Sequence, residues 1–246
     1  MSIPKIIHYC WFGGGAISPE NRKCMESWKK YCPDYKIIEW NDQNFDISTN
    51  RYAQQAYEAK RYAFVSDYVR LAVLYEYGGI YLDTDVELVR PLDELLELPG
   101  FMGFQTNNEV ATGLGFGARK GNSVVQALLR DYDALDFLKA DGSADLTPCP
   151  ERNTRVLQAL GVRKDGTRQS IAEMEIFPAE YFCPMDFYSR KLRVTPKTYS
   201  IHRYAESWKP KPSAVSRILQ RLLKKHYYTW YCPLRGRIEG RLRKRT

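Results

Sequence analysis

The sequence contains no long hydrophobic run and no closely spaced pair of cysteines. No window approaches the about 18 consecutive apolar residues that a membrane-spanning helix needs, so no such helix is predicted. The six cysteines are scattered, and none forms a C-x-x-C pair, which argues against a zinc site. The first residues lack the long apolar stretch and small-residue cleavage site of a signal peptide. We therefore expect reduced thiols and a protein that stays in the compartment where it is made.

Most of the chain also has little net charge, because the basic residues are concentrated at the C-terminus. The whole sequence carries a net charge of +8. Residues 217–246 contain ten Lys or Arg and one acid, which gives this segment +9 and leaves −1 for the rest. A hydrophobic fraction of 44% with 13% aromatic residues predicts a folded core. We expect one catalytic-type domain over 1–210 and a basic tail over 211–246.

The tail has the pattern of a basic amphipathic helix. Its apolar residues recur on one face, basic residues surround them, and aromatic residues follow. Such a segment is typical of contact with an anionic membrane surface. A terminal helix packed on the domain, and a nucleic-acid contact through the charges, are the alternatives. The apolar and aromatic residues are Ile218, Leu219, Leu222, Leu223, Tyr227, Tyr228, Trp230 and Tyr231.

Strand-like and helix-like segments alternate along the first half of the chain, which predicts an α/β fold with a largely parallel sheet. The first predicted strand runs into Gly13, Gly14 and Gly15, an arrangement with which many nucleotide-binding domains begin. Residues 107–121 are predicted as a loop near a site, and residues 139–153 as a second loop. Strands are predicted at 3–12, 35–40, 80–89, 176–182 and 194–202. Helices are predicted at 18–31, 52–77 and 124–135, and a break within the second of these stays open.

Asp83 and Asp85 follow the pair Gly78 and Gly79 within the strand predicted at 80–89. Residues i and i+2 of a strand point to the same side, so the two carboxylates are expected to converge. Oxygen ligands of this kind suit Mg²⁺ or Mn²⁺, which commonly bind phosphate oxygens as well. A solvated acidic strand end is the alternative, and the pair alone does not decide between the two interpretations.

Asp67 and Arg70 lie three residues apart and share one face of the preceding predicted helix. Asp67 is suited to accept hydrogen bonds from sugar hydroxyls, and Arg70 to balance a diphosphate or the neighbouring acids. An ordinary intrahelical ion pair is the alternative, and such pairs contribute little to stability.

The twenty residues from Ser66 to Asp85 resemble the signature of glycosyltransferase family 32, the sugar transferases with the DXD motif. That family includes bacterial surface-polysaccharide enzymes and fungal mannosyltransferases, and the catalytic domains of large glucosylating toxins are related to it. Its pattern is S-D-x-x-R, then L-x-x-x-G-G-x-Y-x-D-x-D. The resemblance covers residues 3–120 well, touches 202–208 and is thin between. The matching positions are Ser66, Asp67, Arg70, Leu74, Gly78, Gly79, Tyr81, Asp83 and Asp85.

The resemblance implies further donor-binding residues near the N-terminus. The segment that contains His8 and Trp11 resembles the opening strand of the family. Trp11 or its neighbours are therefore expected to pack on the nucleotide base, and Tyr81 of the motif to belong to the same donor site. Without the resemblance, a core tryptophan is the simpler interpretation of Trp11.

The segment from His202 to Trp208 resembles the closing H-x-x-x-x-S-W element of the family. The resemblance implies that His202 or Ser207 completes the shell of the metal or the diphosphate, with Trp208 over the donor. A purely structural histidine is the alternative for His202.

The resemblance implies a GT-A fold, in which a Rossmann-like nucleotide-binding half is fused to an acceptor-binding half. It also implies metal-dependent hexosyl transfer with retention of configuration, for which we favour front-face attack. The expected partners are a UDP-hexose donor, a glycan or lipid-linked oligosaccharide acceptor, and an anionic membrane surface bound by the tail; nucleic acid is not expected. The expected catalytic residues are Asp67, Arg70, Asp83 and Asp85, and the expected ligands of Mn²⁺ or Mg²⁺ are Asp83, Asp85 and His202.

These expectations together predict synthesis of a bacterial surface polysaccharide, at the inner face of the cell membrane. UDP-glucose, UDP-galactose and UDP-N-acetyl sugars stay open as donors, and GDP-mannose is less favoured. Among rivals, a phosphatase of the haloacid dehalogenase type requires Thr or Val where this chain has Glu87. A nucleic-acid-binding protein explains the tail but not the aspartates. A catalytically inactive family member conflicts with the intact motif.

Overall fold

The computed structural model describes residues 2–186 and 189–205 of the chain. Residues 2–185 and 193–205 form one compact unit. Of a second unit, the structure describes Asp186 and residues 189–192, a short turn in which the Ser189 N–H donates to Asp186 Oδ1 at 2.7 Å. The predicted tail and the domain boundary at residue 210 lie outside the described residues.

The described residues form ten strands and six α-helices, and no described helix is long and apolar enough to cross a bilayer. The strands are β1 (Ile6–Cys10), β2 (Lys36–Trp40), β3 (Gly79–Tyr81), β4 (Val86–Leu88), β5 (Gly100–Phe104), β6 (Val110–Ala111), β7 (Phe116–Ala118), β8 (Gln169–Ile171), β9 (Met174–Phe177) and β10 (Ser200–His202). The helices are α1 (Pro19–Tyr31), α2 (Arg51–Glu58), α3 (Tyr62–Tyr77), α4 (Ser123–Asp133), α5 (Cys149–Ala159) and α6 (Ala179–Phe182).

Eight strands form one mixed sheet in the order β2-β1-β3-β7-β5-β9-β8, with β6 paired to β5. The strands β2, β1 and β3 are parallel, and the helices α1 to α3 connect them. The next strand, β7, is antiparallel to both β3 and β5. The predicted α/β fold is confirmed, and the parallel strands form the Rossmann-like half expected of a GT-A fold.

Helix α1 begins as the sequence predicts. Ser18 is the N-cap, its hydroxyl accepts a hydrogen bond from the Asn21 N–H at 3.1 Å, and Pro19 occupies the first helical position. The buried residues Asn21, Cys24 and Trp28 recur at helical spacing, so one face of α1 packs against the domain.

The helical segment predicted at 52–77, for which a break was left open, is interrupted at residues 59–61. Lys60 has a φ of 56°, a left-handed conformation that a helix cannot continue through, and the Arg61 N–H bonds back to the carbonyl of Ala56. The second helix, α3, is buried along most of its length and ends at Gly78, whose φ is 67°. Its buried face includes Asp67 and Arg70, so both enter the site from the interior.

The continuous strand predicted at 80–89 is wrong. The strand β3 ends at Tyr81 and β4 begins at Val86, with a turn between them that the Val86 N–H closes by bonding to the Asp83 carbonyl at 2.9 Å. Aspartate and threonine are common in turns, and Asn21 Nδ2 of α1 also donates to Thr84 Oγ1 at 2.9 Å, so a contact from outside the segment helps to hold this one. The strand β4 then leaves the large sheet and pairs with β10.

Two segments predicted as loops contain regular structure. The segment 107–121 includes β6 and β7, since Gly117 allows the Phe101 ring of β5 to pack directly against the backbone of β7. The segment 139–153 runs into α5, which begins at Cys149 with proline in its first turn.

Two predicted late strands are shorter than expected. The strand β9 ends at Phe177, where Pro178 precedes the short helix α6, and only 200–202 of the segment 194–202 form a strand. The five described cysteines are buried as expected, and no disulfide joins any of them; Cys232 lies outside the described residues.

Candidate active site

The turn between β3 and β4 brings the two motif aspartates into one site. The Leu82 N–H donates to the His8 carbonyl at 3.0 Å, and the Asp83 N–H donates to the Gly113 carbonyl at 3.2 Å. These two hydrogen bonds attach the turn to β1 on one side and to the 112–115 segment on the other. The predicted convergence holds, but its cause is the turn and not the alternation of a strand.

His202 joins the two aspartates to form a three-residue cluster. One ligand atom from each of Asp83, Asp85 and His202 lies within 4.8 Å of the others. The strand register explains the meeting, because His202 of β10 lies directly opposite Val86 of β4. Two carboxylates and an imidazole are donors that suit a divalent transition-metal ion such as Mn²⁺.

The hydrogen bonds of His202 leave one ring nitrogen available. Its Nε2 lies 3.2 Å from Asp85 Oδ1, while its buried Nδ1 has no hydrogen-bond partner among the described residues. Burial lowers the pKa of His202, but the carboxylates of Asp85 and Asp83 outweigh burial, so the net shift is upward. An imidazole that contacts one carboxylate through Nε2 and leaves its Nδ1 without a partner among the described residues fits a cation site.

The two aspartates have different electrostatic surroundings. Burial favours the neutral form of Asp85, yet His202 and the Ala205 N–H, which donates to Asp85 Oδ2 at 2.8 Å, hold its pKa at about 2. Burial raises the pKa of Asp83, although Arg70 opposes that shift. A bound cation would favour the charged form of both carboxylates.

Arg70 links the turn to helix α3. Its Nη2 lies 3.1 Å from Asp67 Oδ1 and 3.1 Å from Asp83 Oδ1, and its side chain is only 6% exposed. Its guanidinium also stacks on the Tyr81 ring, 4.8 Å from the centroid. Arg70 therefore pairs with Asp67 within the helix and with Asp83 in the turn, so it bridges two acids.

Gly113 is a site residue that the sequence analysis did not single out. A Cβ on this residue would overlap Asp83 Oδ2 and would lie 3.1 Å from Arg70 Nη1. The Asp83–Arg70 pair therefore needs glycine at this position. The concentration of glycines in 107–121 was the available signal, but it did not distinguish Gly113 from its neighbours.

A buried polar cluster behind Arg70 was also missed. Thr112 Oγ1 accepts hydrogen bonds from Arg70 Nη1 at 3.4 Å and from Asn153 Nδ2 at 3.1 Å, and it lies 3.3 Å from Cys149 Sγ. Cys149 and Asn153 belong to α5, where the sequence predicted a loop. Burial raises the pKa of the Cys149 thiol to about 12, which suits a packing role and not a nucleophile.

His8 does not lie where it could contact a donor, and that expectation is corrected. Its ring has no exposed surface; Nδ1 accepts from Trp40 Nε1 at 3.0 Å, and Nε2 lies 2.9 Å from the Gly78 carbonyl. Because β1 is a central strand, this side chain points into the packed layer behind the sheet. Tyr81 is likewise buried beneath Arg70, so it supports the site from below.

Trp11 lies just beyond β1 and is partly exposed, so it is not a core tryptophan. Its Nε1 donates to the Gly15 carbonyl at 2.5 Å, and the Gly13 N–H donates to Asp42 Oδ2 at 3.0 Å. The glycine segment is thus folded against both residues. Contact of Trp11 with a nucleotide stays a prediction, and Ser207 and Trp208 lie outside the described residues.

A surface cleft of about 740 Å³ lies beside Asp42 but does not suit a diphosphate. Its charged lining residues are Asp42, Asp46 and Glu58, and none of the described residues that line it is basic. The cluster at the turn is therefore the better candidate for the phosphate end of a donor.

Residues 18–101 match the family described as the glycosyltransferase sugar-binding region containing the DXD motif. The matched range includes α1, α3 and the turn that carries Asp83 and Asp85. It therefore covers the elements that build the acidic cluster, apart from His202 on β10.

Three known proteins resemble this chain, and they differ in sequence identity and in how much of each chain the alignment covers. The chain is 30% identical over 151 residues to inositol phosphoceramide mannosyltransferase 3 of Schizosaccharomyces pombe, covering 55% of this chain and 39% of that protein. It is 26% identical over 219 residues to uncharacterized glycosyltransferase L373 of Acanthamoeba polyphaga mimivirus, covering 85% of this chain and 84% of that protein. Among solved structures, PaToxG glycosyltransferase aligns with a TM-score of 0.48 and 21% identity, covering 64% of this chain and 70% of that chain.

The chain thus spans well under two thirds of the Schizosaccharomyces relative, with 39% of that protein covered. The signature at 66–85 is complete, and it falls inside the matched range. Residues 18–101 of this chain are therefore similar to the glycosyltransferase sugar-binding region that contains the DXD motif.

Proposed function

We propose that this chain transfers a sugar from a nucleotide-diphosphate donor to a hydroxyl acceptor and uses a divalent cation held at the turn. The observation that carries the proposal is the convergence of Asp83, Asp85 and His202 within 4.8 Å, beside the buried guanidinium of Arg70. A purely structural ion pair would explain Arg70 and Asp67, but not a third carboxylate with an imidazole next to it.

The cation set consists of one oxygen from each aspartate and one ring nitrogen of His202. When bound there, Mn²⁺ or Mg²⁺ would neutralise the charge that develops on a leaving diphosphate. The imidazole favours Mn²⁺ over Mg²⁺, because Mg²⁺ prefers an all-oxygen octahedron. Asp85 is ionised at neutral pH, since its pKa is held at about 2.

Arg70 serves in this proposal to orient the acids and not to contact the diphosphate. Its Nη2 already bridges Asp67 and Asp83, and its side chain is 6% exposed. Asp67 retains more accessible surface than Arg70, and burial raises its pKa to about 6 against the pull of Arg70. Its carboxyl group is suited to bond a hydroxyl of the transferred sugar.

We further propose retention of configuration by front-face attack. The acceptor oxygen bonds to the anomeric carbon as the bond from that carbon to the diphosphate oxygen breaks, and the hydroxyl proton moves to the leaving diphosphate. The described acids of the site pair with Arg70, His202 or a backbone N–H, and the proposal assigns them to the cation and to a sugar hydroxyl, which favours front-face attack over a carboxylate nucleophile. Trapping of a covalent glycosyl-enzyme on a protein side chain would contradict this mechanism.

A UDP-hexose is the proposed donor, with its base packed on Trp11. The Schizosaccharomyces relative is named a mannosyltransferase, so GDP-mannose is a second candidate that the donor panel must contain. The acceptor is proposed to be a glycan or lipid-linked oligosaccharide of a bacterial surface polysaccharide. Membrane contact through residues 217–246 is tested by liposome flotation, where equal binding by a chain without them would contradict it.

The activity is tested first by thermal shift with a panel of UDP- and GDP-sugars, each with Mn²⁺, Mg²⁺ or EDTA. We expect one nucleotide sugar to raise the Tm in Mn²⁺ and not in EDTA, because ligands that bind the native state stabilise it. The Asp85→Asn variant should lose the metal-dependent part of that rise. No shift with any donor in any metal would contradict the proposal.

A further inference from the structure

We propose that Asn21 is a positioning residue for the cation site and acts through the hydroxyl of Thr84. The inference rests on the proposed function, because it concerns the same cation site. Asn21 lies in the first turn of α1, and its Nδ2 donates to Thr84 Oγ1 at 2.9 Å. Thr84 stands between the two motif aspartates, so this bond reaches the centre of the turn.

The same helix also anchors the strand that follows the turn. The Leu88 N–H donates to Ser27 Oγ at 2.8 Å, and Trp28 Nε1 donates to the Val86 carbonyl at 2.7 Å. These two bonds fix the backbone of β4. The bond to Thr84 differs from them, because it holds a side chain of the turn itself.

Each residue of the turn is tied to a different element. Asp83 is held by Arg70 of α3, and Asp85 contacts His202 of β10. Thr84 is held by α1 alone among the hydrogen bonds of its side chain in the described residues. Loss of the Thr84 bond would leave the backbone bond from the Val86 N–H to the Asp83 carbonyl in place. It would loosen the Thr84 side chain and the peptide that follows it, whose orientation helps to set the separation of the two carboxylates.

Burial of the Asn21 amide destabilises the folded state, so its presence needs an explanation. The residue is 2% exposed, and its Oδ1 has no partner among the described residues. A buried amide that satisfies only part of its hydrogen-bonding capacity destabilises the fold relative to an apolar side chain of similar size. The hydrogen bond that Asn21 donates to Thr84 accounts for an asparagine at this position of α1.

The test compares Thr84→Val, which keeps the shape and removes the hydroxyl, with Thr84→Ser, which keeps the hydroxyl. The affinity of the full-length protein for Mn²⁺ is measured by the loss of the free-ion EPR signal, without donor or acceptor, alongside the Tm. Loss of a residue that orients metal ligands commonly weakens metal binding by about tenfold or more. We expect about a tenfold weaker Kd for Thr84→Val, and a Kd close to wild type for Thr84→Ser.

Ser27→Ala is the matched control, since it removes a hydrogen bond between the same helix and β4. It should lower the Tm and leave the Mn²⁺ affinity unchanged. In a cycle with Asn21→Leu, the double variant Asn21→Leu/Thr84→Val should bind Mn²⁺ no more weakly than either single variant, because both remove one interaction.

Two outcomes would overturn the inference and are distinguishable. If wild type binds Mn²⁺ and Thr84→Val binds it as tightly as Thr84→Ser, Asn21 has no positioning role, while the cation site stands. If wild type binds no Mn²⁺, the cation site of the proposed function is itself refuted, and the inference is refuted with it.

Discussion

The Nη2 atom of Arg70 lies 3.1 Å from Asp83 Oδ1 and joins the middle of helix α3 to the turn that carries the DXD motif. The same nitrogen contacts Asp67, so one guanidinium orders two acids. Lysine would keep the charge at this position but lacks the planar fork that reaches two carboxylates at once.

We predict that Arg70→Lys lowers kcat for sugar transfer by about a hundredfold, an effect of about 2.7 kcal/mol on the barrier. Arg155→Lys is the matched control. It alters a surface Arg–Asp pair, in which Arg155 Nη2 lies 3.1 Å from Asp131. Initial-rate kinetics measure kcat for both variants, and the Tm of each shows whether a lower kcat reflects loss of the folded protein. Full activity of Arg70→Lys would show that the bridge is not needed for transfer.

Gly113→Ala should displace the Asp83 carboxylate, because the added Cβ overlaps Asp83 Oδ2 and crowds Arg70. We expect loss of Mn²⁺ binding and of transfer. Gly142→Ala is the control, since its φ of 76° makes alanine strained while its Cβ meets nothing within 4 Å. The control should lose stability and keep Mn²⁺ binding. Mn²⁺ affinity in Gly113→Ala equal to that of the control would contradict the steric argument.

Trp11→Ala should weaken binding of UDP by about tenfold, an effect of about 1.4 kcal/mol, within the range of base stacking on an aromatic side chain. Trp11→Phe should retain most of the affinity, since it keeps an aromatic face. Isothermal titration with UDP and Mn²⁺ measures both. Equal affinity of the alanine and wild-type proteins would place the base elsewhere.

His8 makes stability depend on pH. Burial lowers its pKa from 6.5 to about 4, so the native state holds the ring neutral while the unfolded chain takes up a proton below pH 6.5. The stability that His8 contributes is therefore complete above pH 6.5 and is lost as the pH falls through 4. Each pH unit in this window costs up to about 1.4 kcal/mol, and the whole window about 3 kcal/mol.

Urea unfolding at a series of pH values tests this contribution. The free energy of unfolding of wild type should fall between pH 6.5 and 4 more steeply than that of His8→Gln, which has no titrating ring. Parallel curves for the two proteins would show that His8 titrates alike in both states.

The sequence predicted that Asp83 and Asp85 converge, and the structure brings ligand atoms of both within 4.8 Å of His202, while the roles of these residues stay predictions. It also placed His202 beside the aspartates through the family resemblance, and the register of β10 with β4 now gives the physical cause. The turn was mistaken for a strand, since flanking apolar residues gave the segment a strand pattern. One of the bonds that hold the turn, from Asn21 of α1 to Thr84, is not local in sequence.

Other site residues were not predictable, because their roles arise from long-range packing. Thr112 and Asn153 meet behind Arg70 only after β6, β7 and α5 have formed, and the sequence predicted loops over these segments. Gly113 is one of several glycines in its segment, and its role depends on where Asp83 comes to lie. His8 was expected at the donor because it stands in the opening strand, but its side chain points into the core.

The proposed sugar transfer depends on a cation held by Asp83, Asp85 and His202. The most direct measurement is donor hydrolysis and transfer across a panel of UDP- and GDP-sugars, in Mn²⁺ or EDTA, by wild type and Asp85→Asn. We predict turnover of one donor in Mn²⁺, none in EDTA, and loss of that turnover in a folded Asp85→Asn protein. Equal turnover in EDTA, or by Asp85→Asn in Mn²⁺, would contradict the account.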